Sequence, residues 1–386
     1  MLDITDPNAF RSAIRAWLDD NCPAEMRDGE NTPDHICWGG KNWIYESDAQ
    51  QIWLERTSAL GLTVPTWPRE YGGAGLERTR EKIYREELAR INARLPLQSF
   101  GIWMLGPALL NFGTHEQKET YLPPIARGEI RWCQGYSEPG AGSDLASVQT
   151  KCEDKGDHWL VNGQKIWTSY ADKADAIFAL VRTDKDAPKH KGISFLLIDM
   201  ATKGVSTKPI RLISGSSPFC ETFFDDVKVP KGQIVGEVNR GWDVAKYLLT
   251  HEREMISGGG TGVSGGRALG AVIADAFPDG LADTSLRAQA LDAEIDALAI
   301  SLTIDRYKDQ SSAGQGTGHA SAMLKYMGTE LNKTRHELIM SANGSDALDW
   351  DAGLAAPWLR TKANSIEGGT SEVMLGIIAR RVLDLK

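Results

Sequence analysis

The spacing of apolar and polar positions divides the chain into three stretches. Over residues 1–128 the period is helical: Phe10, Ile14, Trp17 and Leu18 share one face, and Ile52, Leu54 and Leu60 repeat less cleanly. Pro65, Pro68, Gly72, Gly73 and Gly75 predict a loop from Leu62 to Gly75. The charged run Arg78–Arg94 predicts a solvated helix with opposite charges three and four apart. Thr114 predicts the cap of a following helix that Pro123-Pro124 ends. From about Arg131 to Val235 the period becomes that of strands. Apolar runs at 176–181 and 193–198, then Phe223-Phe224 and Val227-x-Val229, suggest a small barrel or sandwich. Asn162-Gly163, between Trp159/Val161 and Ile166/Trp167, predicts a hairpin. Beyond Gly241 the helical period returns, with helices expected at 241–276, 283–310, 319–342 and 371–384 as an antiparallel bundle. Met374, Ile377, Ile378 and Val382 form a stripe on the last one, which Thr370 or Ser371 would cap. The fold class is therefore α+β: a helical domain over 1–128, a β-barrel over 129–238 and a four-helix bundle over 239–386.

Bulk properties narrow the function classes. A chain of 386 residues is long for one core, which agrees with several packed units. A formal charge of −9 argues against a nucleic-acid surface. The acidic start Met-Leu-Asp-Ile-Thr-Asp lacks a signal-peptide pattern, and no apolar run is long enough for a membrane span. Five scattered cysteines without a Cys-x-x-Cys pair fit a reducing, cytoplasmic setting and no metal site.

Candidate chemistry concentrates between Gln134 and Asp144, read Gln-Gly-Tyr-Ser-Glu-Pro-Gly-Ala-Gly-Ser-Asp. Pro139, Gly140 and Gly142 forbid a regular element there, and glycines let backbone lie against a flat or anionic ligand. Ser137 and Ser143 add hydroxyls. A Trp-bearing segment, 159–169, follows directly.

Here the chain resembles the acyl-CoA dehydrogenases, which are flavoproteins. The resemblance rests on Ser-Glu-Pro-Gly-Ala-Gly-Ser-Asp at 137–144, Asn-Gly-Gln-Lys-Ile-Trp-Thr-Ser at 162–169 and Phe-Phe-Asp-Asp-Val-Lys-Val-Pro at 223–230. Glu252-Arg253 and Glu-Gly-Gly-Thr-Ser-Glu-Val at 367–373 complete it, in the family's order. It implies FAD as cofactor and α,β-dehydrogenation of an acyl-CoA, with a glutamate taking the α-proton and the flavin N5 taking the β-hydride. It places Gln134, Tyr136 and Ser137 along the isoalloxazine edge and Trp167 and Ser169 against its face and rim. Thr370 and Glu372 fall near the ribityl or phosphate region, and Ser143 and Arg253 face the acyl-CoA.

Two glutamates compete for the base. Aligning Gly369-Thr370 with the family's Gly-Thr puts Gly368, not Glu367, at the common base position. Glu252, before Arg253, matches the branched-chain and long-chain arrangement, so Glu252 is favoured with Glu367 as the alternative. Gly260-x-Gly262-x-x-Gly265 mimics a dinucleotide fingerprint but lacks the preceding strand. The resemblance also shows a gap. Homotetrameric members donate an Arg-x-x-Phe-Gly segment and a Gln followed by Leu-Gly-Gly to a neighbour's FAD. Ala276–Asp283 and Leu338–Gly344 carry neither. This implies a hetero-oligomer with a related subunit, otherwise a homotetramer, acting in fatty-acid or steroid side-chain catabolism with electron-transfer flavoprotein as acceptor. An oxygen-using acyl-CoA oxidase and a non-catalytic partner subunit are the alternatives.

Overall fold

The computed structural model describes residues 1–32, 34–255, 269–277, 279–312 and 320–385. The chain divides into two compact units, Met1–Pro209 with Phe219–Leu248, and Ile210–Pro218 with Leu249–Lys386.

The first unit opens with helices α1 (Pro7–Asn21), α2 (Asp48–Ala59), α3 (Arg78–Arg90), α4 (Gly106–Phe112) and α5 (His115–Ala126). The helix α1 starts where Asp6 accepts from the Ala9 N–H at 2.7 Å, with Pro7 inside the first turn. Its predicted stripe is the core-facing one, since Phe10, Ile14 and Leu18 are fully buried. Two expectations need correction. Pro123 and Pro124 do not end α5 but lie in its last turns. Each ring forfeits one helical N–H···O bond, and the burial of Leu122, Ile125 and Ala126 offsets that loss. Nor is α3 merely a solvated face: Ile83, Tyr84 and Leu88 are buried, as is Glu87.

The Glu87 carboxylate accepts from Arg15 Nε and Nη2 (both 2.9 Å), Arg11 Nη1 (3.1 Å) and Arg90 Nε (2.7 Å). These guanidinium hydrogen bonds, Arg15 foremost, hold its pKa down to about 2. A depressed carboxylate pKa stabilises the fold above the unfolded value and loses that contribution as pH falls through the folded one. Stability should therefore drop between about pH 4.5 and pH 2 by on the order of 3 kcal/mol from this group. Urea titrations across that window check it, and Glu87→Gln should flatten the slope while lowering stability at neutral pH.

Strands follow: β1 (Trp132–Gly135), β2 (Lys151–Asp154), β3 (His158–Ser169), β4 (Ala176–Arg182), β5 (Ile193–Asp199), β6 (Val205–Ile210), β7 (Phe219–Pro230) and β8 (Ile234–Val235). They form one sheet in the order β6-β7-β3-β2-β4-β5-β8, with β1 parallel to β4. The two apolar runs become β4 and β5, antiparallel with Leu180 opposite Phe195 and buried on both faces. Asn162-Gly163 is not a hairpin turn. It sits inside the continuous strand β3, at a register shift against β7 between Val161 and Gly163. Gly163 takes φ +151°, and a Cβ there would meet the Thr150 Cα at 2.8 Å, so close strand approach rather than a turn demands the glycine. Asn162 instead exchanges hydrogen bonds with Asp226 across the pair, at 3.0 and 2.9 Å.

Helix α6 (Gly241–Met255) leads from the first unit into the second. The second unit then holds α7 (Leu269–Ala276), α8 (Thr284–Ser312), α9 (Ala320–Asn343), α10 (Ala355–Thr361) and α11 (Ser371–Ile377), the last continued by a π-helical turn to Val382. The ranges expected at 283–310 and 319–342 are thus α8 and α9, whereas α10 was not foreseen. The Gly260-x-Gly262-x-x-Gly265 segment lies outside the described residues. No helix among the described residues is long and apolar enough to cross a membrane.

Candidate active site

The segment singled out at 134–144 is held from several sides. β1 lies along β4 with Gln134 opposite Phe178. The chain then turns tightly at Pro139-Gly140, where Glu138 and Ala141 exchange both backbone hydrogen bonds at 3.0 Å. Beyond the turn, Arg182 at the end of β4 donates to the carbonyls of Ala146 (2.7 Å) and Val148 (3.1 Å). From β3, the Ile166 N–H donates to the Ser137 carbonyl at 2.9 Å. The loop and the Trp-bearing strand are thereby one construction.

Trp167 stands at a second register shift, between Lys165 and Thr168, where the pairing of β3 with β7 is interrupted before it resumes at Thr168. Its φ is +60°, a costly conformation for a bulky side chain and one that tends to mark functional sites. The indole is 52% exposed although Phe219 meets it edge-on at 6.1 Å. Ser169, half-buried, ends the strand opposite Phe219. Ser137 is half-buried too, and neither its N–H nor its hydroxyl has a hydrogen-bond partner among the described residues. A strained, half-exposed indole beside unclaimed donors fits a planar ring carrying hydrogen-bond acceptors. Gln134, Ser137, Trp167 and Ser169 belong to this one region of the first unit. Tyr136 is turned inward, its ring edge-on to Phe178 (6.1 Å) and Phe195 (6.4 Å). Ser143 is exposed on the outer part of the loop.

Sequence reasoning missed the support beneath the loop. Lys165 is fully buried and its Nζ donates to Glu138 Oε1 (2.7 Å), the Tyr136 carbonyl (3.2 Å) and the Leu180 carbonyl (2.6 Å). Burial pushes the ammonium pKa down to about 8, which Glu138 opposes. The available signal was a lysine at an inward position of an otherwise apolar strand face, together with Trp159 and Val161.

The remaining candidates lie towards the C-terminus. Glu252 and Arg253 are on the last turn of α6, and their side chains lie outside the described set. Glu367 is fully engaged: Arg360 donates to both of its oxygens, at 3.1 and 2.8 Å, and Asn364 adds a bond at 2.8 Å. Gly368 and Gly369 take φ +65° and +99°, and a Cβ at 369 would meet the Met374 Cε at 2.5 Å. A glutamate at 368 would be strained by its backbone alone. Buried Lys325 holds this turn by donating to the carbonyls of Asn364 (2.9 Å) and Gly369 (2.7 Å). Thr370 caps α11 as expected, accepting from the Val373 N–H at 3.2 Å. Glu372 is exposed in the first turn, its carboxyl held below the usual range by its own backbone N–H and the Thr370 hydroxyl.

On the resemblance to flavoproteins, which sets the ring against Trp167, replacing Trp167 by alanine should weaken FAD retention by about fivefold, because an aromatic contact contributes about 1 kcal/mol beyond area burial. Fluorescence titration of released flavin measures it, and unchanged affinity would exclude a stacking role.

Three family profiles match the chain in succession: the acyl-CoA dehydrogenase N-terminal domain over residues 6–129, the middle domain over 133–227 and the C-terminal domain over 239–383. The acyl-CoA dehydrogenase IpdE1 of Mycobacterium tuberculosis is 36% identical over 385 residues, covering 98% of each chain. The solved structure of the Tcur3481-Tcur3483 steroid ACAD has TM-score 0.77 and 29% identity, covering 100% of this chain and 99% of that one. The ChsE4-ChsE5 complex from Mycobacterium tuberculosis has TM-score 0.70 and 27% identity, covering 99% of this chain and 98% of that one.

Proposed function

The chain belongs to the acyl-CoA dehydrogenase family of FAD-dependent enzymes, and from that premise we propose that it dehydrogenates a bulky, steroid-type acyl-CoA as one subunit of a heteromeric enzyme. The observation that carries the flavin half is the strained, half-exposed indole of Trp167 beside the unclaimed donors of Ser137. The substrate class and the heteromeric state draw on the steroid ACAD and the two-component complex to which the chain is similar.

In this reading Glu252 removes the α-proton of the thioester. That proton is weakly acidic, so a carboxylate in an apolar, water-poor site and hydrogen bonds to the developing enolate oxygen are both required. Glu367 is the poorer candidate because its oxygens already serve Arg360 and Asn364. When bound, FAD would supply the redox chemistry as the acceptor of the β-hydride. Gln134, Ser137, Trp167 and Ser169 hold and orient the ring, with Tyr136 supporting from within. Ser143 and Arg253 bind the acyl-CoA. Thr370 and Glu372 suit the ribityl hydroxyls better than a phosphate, because an ionised carboxylate accepts from hydroxyls and repels an anion. Electron-transfer flavoprotein then takes the electrons.

The test is anaerobic addition of an acyl-CoA panel to the FAD-loaded protein, with its partner subunit where needed. Steroid side-chain thioesters should bleach the flavin faster than straight-chain ones of similar carbon number. Equal or inverted preference would overturn the substrate class, and stoichiometric peroxide in air would reassign the enzyme as an oxidase.

A further inference from the structure

The ion pair under the loop is placed so as to aim a backbone donor. Lys165 is 0% exposed and Glu138 8%. Each proton of the ammonium has an acceptor, in Glu138, the Tyr136 carbonyl and the Leu180 carbonyl. Glu138 in turn accepts from the N–H groups of Gln149 (2.6 Å) and Thr150 (2.9 Å), which fixes its carboxylate from the far side of the loop. A buried pair of this kind is costly, and an apolar pair would fill the same space more cheaply.

Its geometric effect falls on the peptide between Tyr136 and Ser137. That peptide is trans, since no cis bond is present among the described residues, so its C=O and N–H point in opposite directions. Lys165 draws the Tyr136 carbonyl into the core, and the Ser137 N–H must therefore point outward. The next carbonyl, that of Ser137, is held by the Ile166 N–H one residue before Trp167. Both carbonyls flanking the Ser137 Cα are thus fixed by β3, while its N–H has no partner among the described residues. A hydroxyl could rotate to serve several ligands, whereas this N–H has one direction.

We propose that Lys165 and Glu138 are positioning residues which preset the Ser137 backbone N–H as a fixed hydrogen-bond donor towards the flavin ring. This rests on the reading that Ser137 lies at the flavin edge. A fixed donor favours the more electron-rich, reduced ring over the oxidised one. Its loss should therefore lower the potential of bound FAD as well as its affinity.

The experiment compares Lys165→Met, the double variant Glu138→Gln/Lys165→Met and Ser137→Ala in the FAD-loaded protein, with its partner subunit where needed. FAD dissociation constants and the two-electron midpoint potential are measured, with thermal melts to establish folding. Lys165→Met leaves Glu138 buried without its cation and is the variant at risk of misfolding. The double variant has no unpaired charge and decides the matter. Both should bind FAD at least about tenfold more weakly, with the reduced form losing about tenfold more than the oxidised, a fall of about 30 mV. Ser137→Ala keeps the N–H and loses only the hydroxyl, so its FAD affinity should fall by clearly less than that of the double variant and its potential should stay within about 10 mV of the wild type. A double variant that melts like the wild type and keeps its FAD affinity and potential would overturn the proposal. So would a Ser137→Ala loss as large as that of the double variant, since the hydroxyl would then be the donor. A wild-type protein that holds no FAD under any of these conditions would instead overturn the flavin reading beneath it, and this proposal with it.

Discussion

Glu252→Gln is expected to slow bleaching of the flavin by acyl-CoA at least about a hundredfold, the lower end of what a positioned general base contributes. Glutamine keeps the shape and hydrogen-bonding length of the side chain and cannot accept the α-proton, so substrate affinity should change little. Rapid-mixing reduction under anaerobic conditions separates the two, because the limiting rate reports proton abstraction and the concentration dependence reports binding. Glu367→Gln is the control. Its carboxylate is tied to Arg360 and Asn364, so its loss should disturb the 364–369 turn and lower stability more than it lowers the limiting rate. The reverse ranking, with Glu367→Gln slow and Glu252→Gln near normal, would make Glu367 the base.

The second large effect concerns the adenosine half of FAD. The chain expressed alone should purify with much less than one FAD per chain, and co-expression with a related subunit should restore binding at about half the number of chains. The resemblance implies two segments that clasp a neighbour's cofactor in homotetrameric members, and residues 276–283 and 338–344 carry neither. Asn343, at the end of α9, donates one of its two amide N–H groups to the Ile339 carbonyl at 2.8 Å, which leaves the other and its Oδ1 for a ligand. Arg287 is exposed on α8 and is a second candidate for the clasp. Several hydrogen bonds forgone at roughly 1 kcal/mol each weaken FAD by about fivefold apiece. Native mass and flavin absorbance of the separate and co-expressed chains are the measurements. A stable homotetramer with one FAD per chain would sink the heteromeric assignment, and Arg287→Ala would then show whether that residue had taken over the clasp.

By itself the sequence determined the class of fold and the irregular loop in which we place its chemistry. Phe10, Ile14 and Leu18 had to share a helix face, and the runs at 176–181 and 193–198 had to be strands buried on both sides. In each case a period of 3.6 or an unbroken apolar run leaves few ways to hide the side chains from water. The loop at 134–144 was equally legible, because Pro139 and the glycines exclude regular structure locally. Tertiary structure alone decided what depends on residues distant along the chain. Glu87 reads as one more charge on a polar helix until Arg11 and Arg15, 76 and 72 residues away, close around it. Asn162-Gly163 has the composition of a turn and becomes a bulge because Thr150 passes too close for a side chain at 163. Lys165 looks like a surface lysine until Glu138 and two carbonyls supply its only affordable burial. Local sequence sets which conformations a segment can take, but a buried charge is stable only where partners converge from elsewhere. That convergence exists only once the chain has folded.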